Sequence, residues 1–106
     1  MAKTSRDLLA QARTVVSEVT VDDVQRDLAG AEPRYLLDVR DRDEFEQGYI
    51  PGARHLSKGN LEMNIEARVP DRSTPITLYC AAGNRSLLAG RSLVQMGYED
   101  VVSMSG

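Results

Sequence analysis

The segment Pro75-Ile-Thr-Leu-Tyr-Cys80-Ala-Ala-Gly-Asn-Arg85-Ser-Leu-Leu-Ala-Gly-Arg-Ser-Leu-Val-Gln-Met96 decides the fold. Ile76 to Tyr79 is a short apolar and aromatic run bounded by Pro75, the pattern of a buried strand. Leu87, Ala89, Leu93, Val94 and Met96 then recur at helical spacing, and Gly97 stands where a helix stops. Between strand and helix lies one tight loop. It begins with the only cysteine of the chain, Cys80, and ends with Arg85.

The chemistry of that loop follows from the helix N-terminus. The first N–H groups of a helix have no partner within it, and the helix dipole adds partial positive charge there. A turn of Ala81, Ala82, Gly83 and Asn84 can wrap such groups into a cup for an anion. Gly83 permits positive φ, and Asn84 tolerates it better than most residues. Arg85 adds a permanent charge with a planar fork of donors. The stretch from Cys80 to Met96 holds two arginines and no acid. A cysteine at such a position can fall to a pKa of roughly 3.5–7.5. A lone cysteine is more often core filler. A strand end followed at once by Gly, Asn and Arg is a poor place for filler, so Cys80 is read as a nucleophile.

Cys80-Ala-Ala-Gly83-Asn-Arg85-Ser86 resembles the active-site loop of the rhodanese family of sulfurtransferases, Cys-x-x-Gly-x-Arg opening a helix. A second block is similar to the same family: Tyr35-Leu-Leu-Asp38-Val-Arg40-Asp-Arg-Asp-Glu44-Phe45-Glu-Gln-Gly48-Tyr-Ile50-Pro51-Gly52-Ala53. It matches the family's Asp-Val-Arg strand end, its Glu-Phe helix and its Gly-His-Ile-Pro-Gly-Ala turn, with Tyr49 where the family usually has His. The resemblance implies an α/β, rhodanese-like single domain: a central parallel sheet with helices on both faces. It places catalysis at Cys80 and substrate binding at Ala81, Ala82, Gly83, Asn84, Arg85 and Ser86. Rhodanese domains continue past Ser105-Gly106 with a second Gly and a last helix carrying Trp. This chain has no Trp, so the expected domain, residues 20–106, lacks its C-terminal helix.

The rest of the chain fits one domain of 106 residues. Residues 5–17 carry Leu8, Leu9, Ala12, Val15 and Val16 on one helical face; residues 1–19 are read as a helical extension packed on the body. Thr20, with Asp23 three residues on, caps a second helix whose inner stripe is Val21, Val24 and Leu28. Tyr35 to Val39 is a strand, and Asp41 with Glu44 opens a short helix. Asp38 and Arg40 stand at the strand's C-terminal end, the edge that lines the ligand crevice of open α/β sheets. From there Asp38 can orient the cysteine loop by accepting its N–H groups, and Arg40 can add charge; the plainer alternative is a structural Asp–Arg pair. Ala53 to Leu56 reads as a strand, Leu61 to Val69 as a helix and Val101-Val102 as the last strand. His55 can serve as a base, but a thiolate already stabilised by its cup needs none.

Composition excludes several classes. A net charge of −3 argues against a nucleic-acid surface. No run of about 20 apolar residues exists, so no transmembrane helix is expected. The N-terminus lacks the apolar core of a signal peptide, which points to the cytoplasm. One Cys and one His make a zinc site improbable and an internal disulfide impossible.

The resemblance implies a double displacement through a Cys80 persulfide. The donor is a small sulfur anion such as thiosulfate. The acceptor is cyanide in the assay and a thiol or sulfur carrier in the cell. Neither a metal nor an organic cofactor is needed. Two alternatives stand beside it. Tyrosine phosphatases and arsenate reductases also set a Cys thiolate in a cup closed by Arg, with five residues between the two; here there are four, Ala81 to Asn84. A non-catalytic regulatory domain of the same fold commonly loses the cysteine, which this chain keeps.

Overall fold

A computed structural model describes residues 2–106. Five strands, β1 (Ser17–Val19), β2 (Tyr35–Asp38), β3 (Arg54–His55), β4 (Ile76–Tyr79) and β5 (Val101–Met104), alternate with five helices. These are α1 (Ser5–Arg13), α2 (Val21–Leu28), α3 (Arg42–Glu46), α4 (Leu61–Arg68) and α5 (Asn84–Gln95), with a 3-10 turn at Lys58–Asn60. All strand pairs are parallel, in the order β1-β5-β4-β2-β3. β4 is therefore central, and all four of its residues are buried. That accounts for its continuous run where a half-exposed strand would alternate.

The period of two along each strand divides the side chains between two cores. Leu37, Val39, Ile76, Leu78 and Val101 point to one face, where they meet Ala12, Val16, Leu61, Ile65, Leu87, Ala89 and Leu93. Leu36, Tyr79 and Met104 point to the other face, where Val24 and Leu28 of α2 cover them. Helices thus occupy both faces, three on the larger core and α2 on the smaller. Leu37, Leu78, Leu87 and Leu93 are fully buried, each stabilising by roughly 1.5–3 kcal/mol.

Gly90 sets how closely α5 approaches. A Cβ there would meet Val16 Cγ1 at 3.0 Å and Leu78 Cδ1 at 3.3 Å. The helix can lie tight on β4 only without that atom, and this holds its N-terminus over the strand's end.

The N-terminal segment departs from the expectation of a helix over 5–17. The helix stops at Arg13, and Ser17–Val19 is the edge strand beside β5, with Ser17 opposite Val102 and Val19 opposite Met104. Thr14-Val15-Val16 is a β-branched run of low helix propensity, which ends α1. Ala12 and Val16 are buried in the main core, and Ser17–Val19 adds a strand to the sheet. Val15 and Val21, both expected inward, are 50% and 45% exposed. The Thr20–Asp23 capping box forms as its spacing predicts. Leu61, Ile65 and Val69 of the α4 region point inward as expected. No described helix is long and apolar enough to cross a membrane.

Candidate active site

The loop from Cys80 to Arg85 leaves the centre of the sheet and turns straight into α5. The turn is made at Gly83, with φ of +90°. L-residues pay a steric penalty there, because Cβ approaches the carbonyl oxygen. Space is closed as well: a Cβ on Gly83 would lie 3.3 Å from Gly106 N and 3.4 Å from Met104 O. The turn wraps the backbone around the Cys80 sulfur. Gly83 N–H donates to Sγ at 3.1 Å and Ser86 N–H at 3.3 Å. The thiol can donate to Ser86 Oγ at 3.5 Å. Only 5% of Cys80 is exposed. Burial pushes its thiol up, but hydrogen bonds from the Ser86 hydroxyl and the N–H groups of Ser86, Ala82 and Gly83 outweigh burial. The thiol lies below its ordinary value.

Two more donors stand at the start of α5, next to the cup. Among the described residues, the N–H groups of Asn84 and Arg85 donate to no backbone carbonyl. They are the first two of α5 and have no intrahelical partner. Ala81, Ala82 and Asn84 are exposed and form the rim. Within the loop from Cys80 to Arg85, only Gly83 takes positive φ; Asn84 is already helical.

Arg85 does not lie free over the cup. Its guanidinium makes a two-pronged ion pair with Glu44 of α3, Nη1–Oε2 2.8 Å and Nη2–Oε1 2.9 Å. Glu44 also accepts the Asp41 N–H at 3.0 Å, the back-bond expected from the local spacing. The Arg85 bonds, then that backbone bond, hold the Glu44 carboxyl down to about 2. Glu44 in turn pushes Arg85 further up. The acid-free stretch from Cys80 to Met96 is therefore not the whole electrostatic environment. A carboxylate 41 residues away in sequence neutralises the arginine. The positive potential at the sulfur comes from backbone N–H groups and the helix terminus. Sequence spacing showed Glu44 only as a helix-capping residue.

Asp38 does not reach the cysteine loop. Its carboxylate, fully buried, accepts the Arg40 N–H at 2.9 Å and the Arg40 side chain at 2.7–3.1 Å. Burial pushes the Asp38 carboxyl up, and the Arg40 bonds outweigh it, so it stays below the usual carboxylate range. This is the structural Asp–Arg pair weighed as the plainer alternative, and the pleat is its cause: Asp38 pairs in register with Tyr79, one residue before Cys80, so it projects to the opposite face. Arg40 likewise turns away from the cup. It donates to the Gly48 carbonyl at 2.6 Å and lies over the Tyr79 ring. His55 hydrogen-bonds the Arg40 carbonyl at 2.7 Å and packs on Phe45. Tyr49 stacks on the other partner position of Phe45, with centroids 4.1 Å apart. These residues brace the loop after β2.

Ser86 is placed beneath the sulfur and not at the mouth. It is fully buried, which removes it from direct contact with a substrate entering over the rim. Its hydroxyl is shared among Cys80, the Gly83 carbonyl at 3.2 Å and Ser103 Oγ at 2.8 Å. Ser103, on β5, is a residue that sequence reading missed. A polar residue within a strand otherwise read as core was the available signal. Among the described residues, no group of three or more His, Cys, Asp or Glu is placed to hold a metal ion.

Residues 20–106 match the family model described as rhodanese-like domain. Thiosulfate sulfurtransferase GlpE of Pseudoalteromonas translucida is 35% identical over 80 residues, 76% of this chain and 74% of that protein. GlpE of Coxiella burnetii is 35% identical over 71 residues; the match spans 67% of this chain and 64% of that protein. A solved structure from Rhodopseudomonas palustris, a protein of unknown function described as a possible tyrosine phosphatase, superposes with a TM-score of 0.86 at 28% identity. That match covers 100% of this chain and 86% of the other, so α1 and β1 have counterparts there. With a family model running from Thr20 to the end of α5 and beyond, and a loop built as its motif requires, the chain belongs to the rhodanese-like domain family.

Proposed function

We propose that the chain is a sulfurtransferase. It moves a sulfane sulfur from a small anionic donor such as thiosulfate, through a persulfide on Cys80, to a thiophilic acceptor. One observation carries this reading: the Cys80 sulfur accepts the N–H groups of Gly83 and Ser86 inside a loop with four residues between Cys80 and Arg85. The resemblance of GlpE, named a thiosulfate sulfurtransferase, supports it.

The cup lowers the cost of forming a thiolate at neutral pH. Cys80 S⁻ attacks the outer sulfur of thiosulfate. A sulfur–sulfur bond to Cys80 forms as the donor's own sulfur–sulfur bond breaks, and sulfite leaves with the electron pair. The persulfide's outer sulfur projects toward the rim, where the Asn84 and Arg85 N–H groups supply stabilisation. The acceptor then attacks that outer sulfur, and Cys80 leaves as thiolate. Nucleophilic attack of sulfur on sulfur requires no metal or organic cofactor. Because Cys80 is the only cysteine, the acceptor comes from outside: cyanide in an assay, a thiol or a sulfur carrier in the cell. Arg85 acts by fixing the loop to α3 through Glu44.

A phosphatase-like reading has the description of the Rhodopseudomonas neighbour behind it. The chemistry argues against it. An aryl phosphate needs a proton for its leaving group. Glu44, held at about 2, carries none at neutral pH, and Asp38 is ionised on the opposite face. Intact mass after incubation with thiosulfate tests the choice. The expected result is a gain of one sulfur atom, absent in Cys80→Ser, with folding unchanged. Aryl-phosphate hydrolysis without that gain overturns the proposal.

A further inference from the structure

The buried hydroxyl behind the nucleophile has a partner that the proposed sulfur transfer does not use. Ser103 Oγ lies 2.8 Å from Ser86 Oγ, and both residues are fully buried. A hydroxyl has one proton to donate and two lone pairs to accept with. Among the described residues Ser103 Oγ has Ser86 Oγ as its hydrogen-bond partner. Ser86 Oγ has three: Ser103, the Gly83 carbonyl and Cys80 Sγ. The proton count then has one economical solution. Ser103 donates to Ser86, so Ser86 is free to point its own proton elsewhere. With Cys80 as a thiol, S–H donates to Ser86 Oγ and Ser86 donates to Gly83. With Cys80 as a thiolate, the Ser86 proton turns to the sulfur. Were Ser86 to donate to Ser103 instead, the Ser103 proton would have no acceptor and the thiolate would lose a donor.

We propose that Ser103 is a positioning residue for the Cys80 thiolate, acting through Ser86 by directing the Ser86 hydroxyl proton toward the sulfur. The inference rests on the reading of Cys80 as the nucleophile. Cooperative polarisation along Ser103–Ser86–Cys80 strengthens the last bond. The geometry also explains why a serine stands in β5 among buried residues: its neighbours Val101 and Met104 are core, and its own side chain finds its partner under the cup.

The other charged groups near this edge stay in place in the variants that test the idea. They are Arg85 on α5, Glu44 and Asp41 of the α3 turn, and Lys58 on the 3-10 turn. Asp38, Arg40 and Tyr79 pair on the opposite face. The experiment is the pH dependence of iodoacetamide alkylation of Cys80 in wild type, Ser86→Ala, Ser103→Ala and the double variant, with thermal melting alongside. Ser103→Ala is expected to raise the apparent thiol pKa by about one unit, a tenfold loss of thiolate at low pH. Ser86→Ala is expected to raise it at least as far, and the double variant no further than Ser86→Ala alone. A Ser103→Ala variant whose profile matches wild type overturns the inference, whatever its melting temperature. So does a double variant whose shifts add, since Ser103 would then act independently of Ser86. If Ser103→Ala does not fold, Ser103→Thr and Ser103→Val carry the same comparison, differing in the hydroxyl: a low pKa is expected in Thr alone, and equal values overturn it. Alkylation needs no sulfur donor. A failure of thiosulfate to load Cys80 would therefore fell the sulfurtransferase reading and leave this test standing.

Discussion

The loops after β2 and β4 start side by side, from Asp38 and Tyr79, which are partners in register, and each leads into a helix at the same edge of the sheet. They are held together in opposite ways. The β2 loop closes on itself through a side-chain pair, Asp38 with Arg40, and a bond from Arg40 to Gly48. Its backbone carbonyls are taken up as well, Val39 O by the Lys58 N–H and Arg40 O by His55, and what remains is a brace. The β4 loop is held by backbone N–H groups converging on one sulfur. Those donors point at an atom whose charge can change and which can carry a second atom. The difference is one of what the hydrogen bonds converge on: a buried ion pair in one loop, a titratable thiol in the other. Arg85 and Glu44 join the two, so that the brace fixes the cup.

The largest effect expected of breaking this contrast is on the brace. Asp38→Ala strands the Arg40 guanidinium without its buried partner, at a cost of about 3 kcal/mol in denaturant-monitored stability. The pH profile of Cys80 alkylation should stay where it is, because Asp38 donates nothing and accepts nothing in the cup. A profile that moves with Asp38 would mean that the two loops are one unit.

Gly83→Ala attacks the cup. A non-glycine residue at φ of +90° costs about 1–2 kcal/mol, and its Cβ would press on the chain at Met104 and Gly106. Stability should fall less than in Asp38→Ala, yet alkylation should shift toward that of a free thiol near a pKa of about 8.5. An unmoved profile would show that the Gly83 turn does not set the thiolate.

The smallest effect belongs to the joint between the loops. Glu44 has its carboxyl lowered from 4.5 to about 2, so its contribution to stability is complete above pH 4.5 and is lost as pH falls toward 2. Glu44→Gln should flatten the fall of melting temperature across that window relative to wild type. Identical acid profiles would place the clamp's influence elsewhere.

Local spacing was enough to read the strand–cysteine–loop–helix unit, the Thr20–Asp23 cap and the inward face Leu61, Ile65 and Val69, because each depends on residues within one or two turns of each other. The same is true of the glycine needed at 83, since positive φ is a property of one residue. Other features depend on where the sheet puts distant segments. Ser17–Val19 is a strand because β5 offers an open edge, and nothing in Ser-Glu-Val announces that edge. Glu44 reaches Arg85 across 41 residues and Ser103 reaches Ser86 across 17. Asp38 turned away from the cup because register with Tyr79 set its face, and register belongs to the pair of strands and not to either one. The sequence by itself determined where the lone cysteine stands and that its loop would supply N–H donors. Only the tertiary structure decided which side chains neutralise Arg85 and which hydroxyl stands behind the sulfur, because those partners are brought together by the parallel crossover connections, whose length places neighbours in space far apart along the chain.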